Sequence, residues 1–538
     1  MRQSKLLKVR ITEKIRQNIL GKLAGRNPFG LVGHAVNSTI GNPSVVNGKP
    51  VENVQVVYNR LDVEGAYNVG GIVGNMEGTT VQNAENSGNV TASGYTTDKY
   101  IYYSAYQNVD DGTAEDIGND RYKITVNVNA ANVGGIAGTS SDSSTIENVA
   151  NTGDVNSRTD TYEQYGNHIY YTAGNVGGVV GRAEDTNITN ATNRENEVRG
   201  AHNVGGVAGY FGGEGTVNGG INDGGDIMAT GARFGNDFMT EHVRSSDTGD
   251  ETFIIGNIGG VVGYMDGDNV YVTGSANRGT VHSQDIDDPQ NVLYTSQAAN
   301  TGGVVGRINR SDTKTLAEIQ NEADKKEAAV NNSYNTGDVR GYAGVGGVVG
   351  MMYNGEVANS YNLGAINTTR RPQGGNKTSV NMGGVVGDTT EESNAKAIIY
   401  NVYNKGQIGD ETYNFYARHV GGVVGRLSGT VDKAYNTGAI YNGYSVVGGI
   451  AGWFYEGTIS NSFNTGNITV LNKETAEKAG SQLCGGHEED RPYQQEKNDP
   501  PDSHVSGDRL CDHLRREVPV HGAAECKAAE GNDLQLTH

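Results

Sequence analysis

The 538-residue sequence predicts an all-β chain, a parallel β-helix (β-solenoid) of about ten to eleven coils, on three observations. A seven-residue element, seen cleanly as Asn175-Val-Gly-Gly-Val-Val-Gly181, recurs at intervals as short as 27 residues (Gly421 to Gly448) and 28 residues (Gly177 to Gly205). Each copy is followed by a second element closing on Asn, as in Gly429-Thr-Val-Asp-Lys-Ala-Tyr-Asn-Thr-Gly-Ala-Ile440. Composition is the third: 80 Gly, 9 Pro and only 35% hydrophobic residues make too lean a mixture for several conventional cores. A unit of 27 residues cannot enclose a core alone, but stacked units share one. Short β-branched strands between Gly and Asn corners suit one coil per repeat, each bonded to the next at ~4.8 Å, in a rod of about 45–50 Å.

Taken in order, residues 1–28 are expected to form a basic amphipathic helix. Residues 1–26 carry eight Lys or Arg against one Glu, with helical apolar spacing from Leu6 to Leu20. Such a helix caps the open end of a first coil, or lies on a membrane surface. It has no continuous apolar stretch of the kind a secretory signal requires. Residues 29–470 form the rod. The first Gly of each Gly-Gly pair falls at Gly70, Gly134, Gly177, Gly205, Gly259, Gly302, Gly346, Gly383, Gly421 and Gly448, and Phe29-Gly-Leu-Val-Gly33 is a degenerate eleventh copy. Gly and Asn are expected at the corners because positive φ costs them least. Longer spacings mark insertions at 91–131, 228–256 and 308–330. The first is rich in Tyr and Asp, and the last contains a short polar helix between Leu316 and Ala329. Residues 471–538 are an atypical tail, expected to be disordered or read out of frame. From Ala479 onward the tail has no Ile or Phe and holds all three Cys (Cys484, Cys511, Cys526). The lack of Cys in the coils suits an exported rod held by hydrogen bonds.

Three recurrent positions are candidates for a role. The closing Asn occurs at Asn86, Asn151, Asn193, Asn222, Asn277, Asn335, Asn362, Asn404, Asn436 and Asn464. Stacked in register, these side chains would form a structural amide ladder, or else serve only as turn residues. The residue before it becomes aromatic in the last five coils: Tyr334, Tyr361, Tyr403, Tyr435 and Phe463. That column would be a stabilising ring stack or, facing outward, a binding stripe for sugar or extended peptide. The third is the β-branched pair after Gly-Gly. Side chains alternate across a regular strand, so its first members (Ile72, Ile136, Val179, Val207, Val261, Val304, Val348, Val385, Val423, Ile450) would form an outward aliphatic stripe. Alternatively the pair straddles a bend and both members face the core.

The formal net charge of −20 without basic clusters excludes nucleic acid as a partner, and no window of about 18 apolar residues predicts a membrane span. His487-Glu-Glu-Asp-Arg491 begins like HExxH but lacks the second His; no GxSxG elbow or Walker loop occurs. The tail Cys and His residues match no zinc-finger spacing. Acidic clusters (Asp110-Asp111, Asp116, Asp247 with Asp250, Asp266 with Asp268, and 285–288) read as solvated loops, with calcium as the cation such oxygen-rich loops would take. No catalytic residue, metal ligand or cofactor site is therefore expected. Paired carboxylates on a β-helix would define the alternative, a carbohydrate-active enzyme.

Asn-Val-Gly-Gly-Val-Val-Gly followed by Thr-Val-x-Asn-x-Tyr-Asn-Thr-Gly resembles the GLUG repeat of bacterial surface proteins, over about residues 29–470. Proteins carrying it include adhesins and the large zinc metallopeptidases of streptococci and relatives that cleave immunoglobulin A. The resemblance implies an extracellular or cell-surface location. It also implies a non-catalytic stalk or binding module, part of a larger surface protein, whose partner is a host protein or glycan. In those peptidases zinc is bound by an HExxH motif in a separate catalytic region, which has no counterpart here, so no catalytic residue carries over.

Overall fold

The computed structural model describes residues 30–470 apart from 47, 52–53, 94, 103–114, 119–120, 129–131, 158–162, 166–167, 171–173, 201, 230–241, 245–250, 254–255, 284–298, 322–327, 342, 353, 369–379, 390–395, 411–416 and 443–445, together with the paired strands Glu525–Cys526 and Leu536–Thr537. The expected N-terminal helix and the rest of the tail lie outside the described residues.

The repeat folds as the coil of a parallel β-helix. In one full turn the strands are Asn68–Gly70, Val73–Glu77, Thr80–Asn86 and Val90–Ala92. The first strands of ten coils make a ten-stranded sheet, the second and third strands share a 24-stranded sheet, and the fourth strands make an eight-stranded sheet. Isolated bridges carry the fourth column on from Ile366 through Ile408 to Ile440. Pairing is parallel and joins equivalent residues: Asn132 lies between Asn68 and Asn175, and Val90 between Val63 and Val155. The degenerate copy takes its place too, since Gly30 N–H donates to the Gly70 carbonyl at 3.1 Å and Val32 pairs with Val73.

Positive φ is used at a corner three residues before the closing Asn. Asn83, Asn148, Asn190, Gly219, Gly274, Asn332, Asn359, Asn401, Lys433 and Asn461 all adopt it, between 48° and 68°. The Gly-Gly pairs do not, which corrects the expectation for those corners. Glycine is required there by close approach: a Cβ on Gly134 would meet the Ala137 carbonyl oxygen at 2.0 Å.

The aliphatic stripe is also corrected. Ile72, Ile136, Val179, Val207, Val261, Val304, Val348, Val385 and Val423 are fully buried and Ile450 is 4% exposed, as are their partners from Val73 to Ala451. The chain bends at the second Gly and the residue after it, before the next strand begins. Alternation is reset by that bend, so neighbouring residues both point inward.

Two apolar columns fill the coils. One gathers the β-branched pair with residues such as Met76, Val81, Phe211 and Leu427. The other joins the Val of the first strand to the Val or Ile of the fourth, as Val69 with Val90, and Val345 with Ile366. Between them runs the closing Asn, packed against the second Gly of its coil.

The described part of the insertion at 308–330 folds back onto the rod. Thr315 and Glu318 make a reciprocal capping box that starts the helix Leu316–Gln320. Ile319 is fully buried against Ala358, Ile398 and Tyr400, and Gln320 Nε2 donates to Asp432 Oδ2 at 3.2 Å. Other insertions leave between the fourth strand and the next first strand. They include the antiparallel strands Tyr95–Tyr102, Glu115–Gly118 and Arg121–Val128, and the hairpin Glu163–Tyr165 with His168–Tyr170.

Candidate functional site: a polar spine and an aromatic column

The closing Asn residues lie on one line inside the rod. Each side-chain amide donates to the Oδ1 of its equivalent in the next coil, from Asn59 to Asn86 and on to Asn464, at 2.6–3.1 Å over ten consecutive bonds. The second amide hydrogen goes to a backbone oxygen at the N-x-G corner, as from Asn86 to Gly88 and Asn362 to Gly364. Buried amides with both hydrogens and the oxygen engaged suffer no net desolvation penalty. Asn193 lacks that glycine in its own coil. There Asn196 substitutes, its amide donating to the Gly153 carbonyl at 2.6 Å and to Asn193 Oδ1 at 2.8 Å.

Asn59 was not foreseen from the sequence, because Asn59-Arg-Leu61 lacks the N-x-G ending. Its signal was the spacing of 27 residues to Asn86 and the preceding Tyr58. A second amide column, on the opposite strand, was not foreseen either. Asn132, Asn175, Asn203, Asn257 and Asn300 each donate to the Asn of the coil before, at 2.8–3.1 Å. These bonds run opposite to those of the first column. The signal was the Asn that opens the seven-residue element.

The aromatic column stands on the outer face beside the first spine. Rings of Tyr334, Tyr361, Tyr403, Tyr435 and Phe463 stack with centroids 5.1, 4.8, 4.9 and 5.3 Å apart and planes within 6°. The tyrosines are half-buried and Phe463 is exposed. Because the rings are parallel along the rod, their faces are engaged by one another and their edges and hydroxyls meet solvent. Arg278 closes the near end, its Nη2 donating to the Tyr334 hydroxyl at 2.8 Å. Burial, with Tyr361 and Tyr435 on either side, pushes the Tyr403 phenol above its ordinary value.

The remaining candidates are dispersed. Asp266 accepts from the Tyr210 hydroxyl at 3.2 Å and from Asn309 at 2.7 Å, whereas Asp268 is held below the usual carboxylate range by Ser311. The side chains of Asp110, Asp111, Asp116, Asp247, Asp250 and 285–288, and of Cys484, Cys511 and Cys526, lie outside the described residues. Among the described residues no three His, Cys, Asp or Glu converge as a metal site would need, and no helix is long and apolar enough to cross a membrane. Among the described residues one ion pair is fully interior. Arg310 Nη1 donates to Glu356 Oε2 at 3.0 Å, and the Lys314 and Ala329 N–H groups donate to the same carboxylate at 2.6 and 3.2 Å. Burial pushes the Glu356 carboxyl up, partly offset by those partners.

The fold and these columns define a β-helical repeat module. The GLUG motif matches residues 172–196, the unit holding the Gly177-Gly178 corner and Asn193. The flanking coils pair in register with that unit through their Gly-Gly and closing Asn positions. No curated protein matches the chain. A solved structure, of a "putative immunoglobulin A1 protease" from Bacteroides ovatus, is 12% identical over 72% of this chain and 79% of its own, with a TM-score of 0.28. A likeness that distant carries no argument about this protein.

Proposed function

We propose that the rod is a non-catalytic stalk or binding module of an exported bacterial surface protein. The parent is an adhesin or a zinc metallopeptidase of the type that cleaves immunoglobulin A. The observation that carries this reading is the continuity of the Asn spine from Asn59 to Asn464. Each closing Asn is committed to its equivalents in the coils above and below, as a rod that holds a shape and transmits force requires. The aromatic column supports the same reading, because its faces are engaged internally and only a narrow edge is offered to a partner. The GLUG match supports the surface assignment.

Two experiments test it. Antibody against residues 132–470 applied to intact source cells should label them, and labelling confined to lysed cells overturns the surface assignment. Purified full-length chain incubated with immunoglobulin A and with linear polysaccharides should leave both uncut. New reducing ends or immunoglobulin fragments would overturn the non-catalytic role.

A further inference from the structure

The second amide column ends in a different chemistry. Gly344 interrupts it, and the next two residues in register are Asn381 and His419. Asp388 sets the polarity of this end. Arg426 holds its carboxylate through Nε at 2.7 Å and Nη2 at 3.0 Å, and a carboxylate only accepts. The Asn381 atom 2.8 Å from Asp388 Oδ2 is therefore the amide nitrogen, which leaves Asn381 Oδ1 facing His419. The His419 Nδ1 at 2.7 Å from that oxygen must then carry the proton, and in a neutral ring Nε2 carries the lone pair.

His419 is 4% exposed, its Nε2 has no hydrogen-bond partner among the described residues, and the Trp453 ring lies 4.9 Å away. Protonation would bury a donor without an acceptor, and a second charge with it. Two cations act on the ring through space: Arg426, from the strand Val424–Asn436, and Arg418, its exposed neighbour on the opposite face of its own strand. Asp388, the acid of the cluster, is paired with Arg426 and separated from His419 by Asn381. The neighbouring strand Val446–Gly448 pairs with His419 at Val446 through backbone and offers no charge.

We propose that His419 is an acid-sensitive latch: neutral, it holds the last two coils of the rod in register, and falling pH loosens them. Burial and the two arginines hold the imidazole well below its ordinary value. The unfolded imidazole takes up a proton below about pH 6.5, while the folded one stays neutral to lower pH. The stability it contributes is thus complete above about pH 6.5 and is lost as pH falls toward the folded value. Between pH 7 and pH 5 one such group raises the opening equilibrium by up to about 25-fold, the limit set by the unfolded imidazole.

Hydrogen exchange of the full chain at pH 7 and pH 5, corrected for intrinsic rates, tests this. The strands Ala417–Gly421 and Val446–Gly448 should open several-fold, and up to about 25-fold, more readily at pH 5, relative to the reference strands Asn132–Gly134 and Val155–Ser157. In His419→Asn, which restores the residue used in earlier coils, that difference should vanish. An equal pH response in the variant, or a wild-type response uniform along the rod, overturns the latch. Imidazole nitrogen shifts of the wild-type chain at pH 7 provide a readout that needs no variant to fold. Protonated Nδ1 with bare Nε2 is expected, and the opposite tautomer or a doubly protonated ring refutes the proposal.

Discussion

Gly71 lies so close to Asn86 that a methyl group on it would come within 2.5 Å of the Asn86 amide carbon and 2.2 Å of the Gly135 carbonyl oxygen. The same meeting recurs between Gly135 and Asn151, Gly260 and Asn277, and Gly347 and Asn362. It ties the two halves of the repeat together: the first element needs glycine because the second brings an amide against it.

Gly260→Ala should therefore cost about 3 kcal/mol, since its Cβ would fall 2.2 Å from the Gly303 carbonyl oxygen, which is backbone and cannot yield. Gly274→Ala should cost only about 1–2 kcal/mol, because its φ of +57° is unfavourable for alanine but the nearest atom is 3.5 Å away. Urea unfolding of the two variants side by side checks the order; the reverse order would refute close approach as the reason for Gly-Gly.

Asn277→Ala should destabilise by about 3–5 kcal/mol, because it strips Asn222, Asn335 and the Gly279 carbonyl of partners in the rod interior. Asn464 stands at the end of the spine and is half-buried, so Asn464→Ala should cost only about 1 kcal/mol. Equal costs in denaturant titrations would show that the spine has no cumulative role.

Lys433 occupies a corner that other coils give to Asn or Gly, at a φ of 56°. Lys433→Asn should stabilise by about 0.5–1 kcal/mol, as Asn tolerates this conformation better. The contact it gives up, from Lys433 Nζ to the hydroxyl of the buried Tyr400 at 3.0 Å, is part-buried and offsets some of that gain. A lower melting temperature in calorimetry would instead show that this contact outweighs the backbone strain.

Tyr403 stacks on Tyr361 and Tyr435 at once. Tyr403→Ala should cost about 2 kcal/mol and Tyr403→Phe less than about 0.5 kcal/mol, since the phenyl ring preserves both contacts. Thermal melts decide this: if Phe costs as much as Ala, the hydroxyl matters and the column is more than a ring stack.

Glu356→Ala should cost about 3–5 kcal/mol by leaving Arg310 charged and unpaired in the interior. The double variant Arg310→Met with Glu356→Leu should recover most of that loss. Limited proteolysis after Lys314 should accelerate in the single variant, because the Glu356 carboxylate also anchors that backbone.

Much of this was legible from period alone. Stacked repeats pair like with like, so any residue recurring once per coil must meet its own copy, and that reasoning placed Asn86 above Asn151 and Tyr361 beside Tyr403. Asn59 escaped because its corner departs from N-x-G, and the second amide column escaped because its Asn was read as part of the glycine element. His419 stands where that column carries Asn in other coils, which alignment of Arg418-His-Val-Gly-Gly with Asn-Val-Gly-Gly displays once the column is known.

Period and register are one-dimensional properties, and the order of residues along the chain suffices to specify them: the number of coils and the residues that stack. Which way a side chain faces emerges only in the folded coil, because alternation restarts wherever the backbone bends. That is why Ile72 and Val73 both turn inward although they are neighbours. The same holds for the reason glycine is needed at Gly71, since a clash with Asn86 and Gly135 exists only when the coil is closed and the next one is stacked on it.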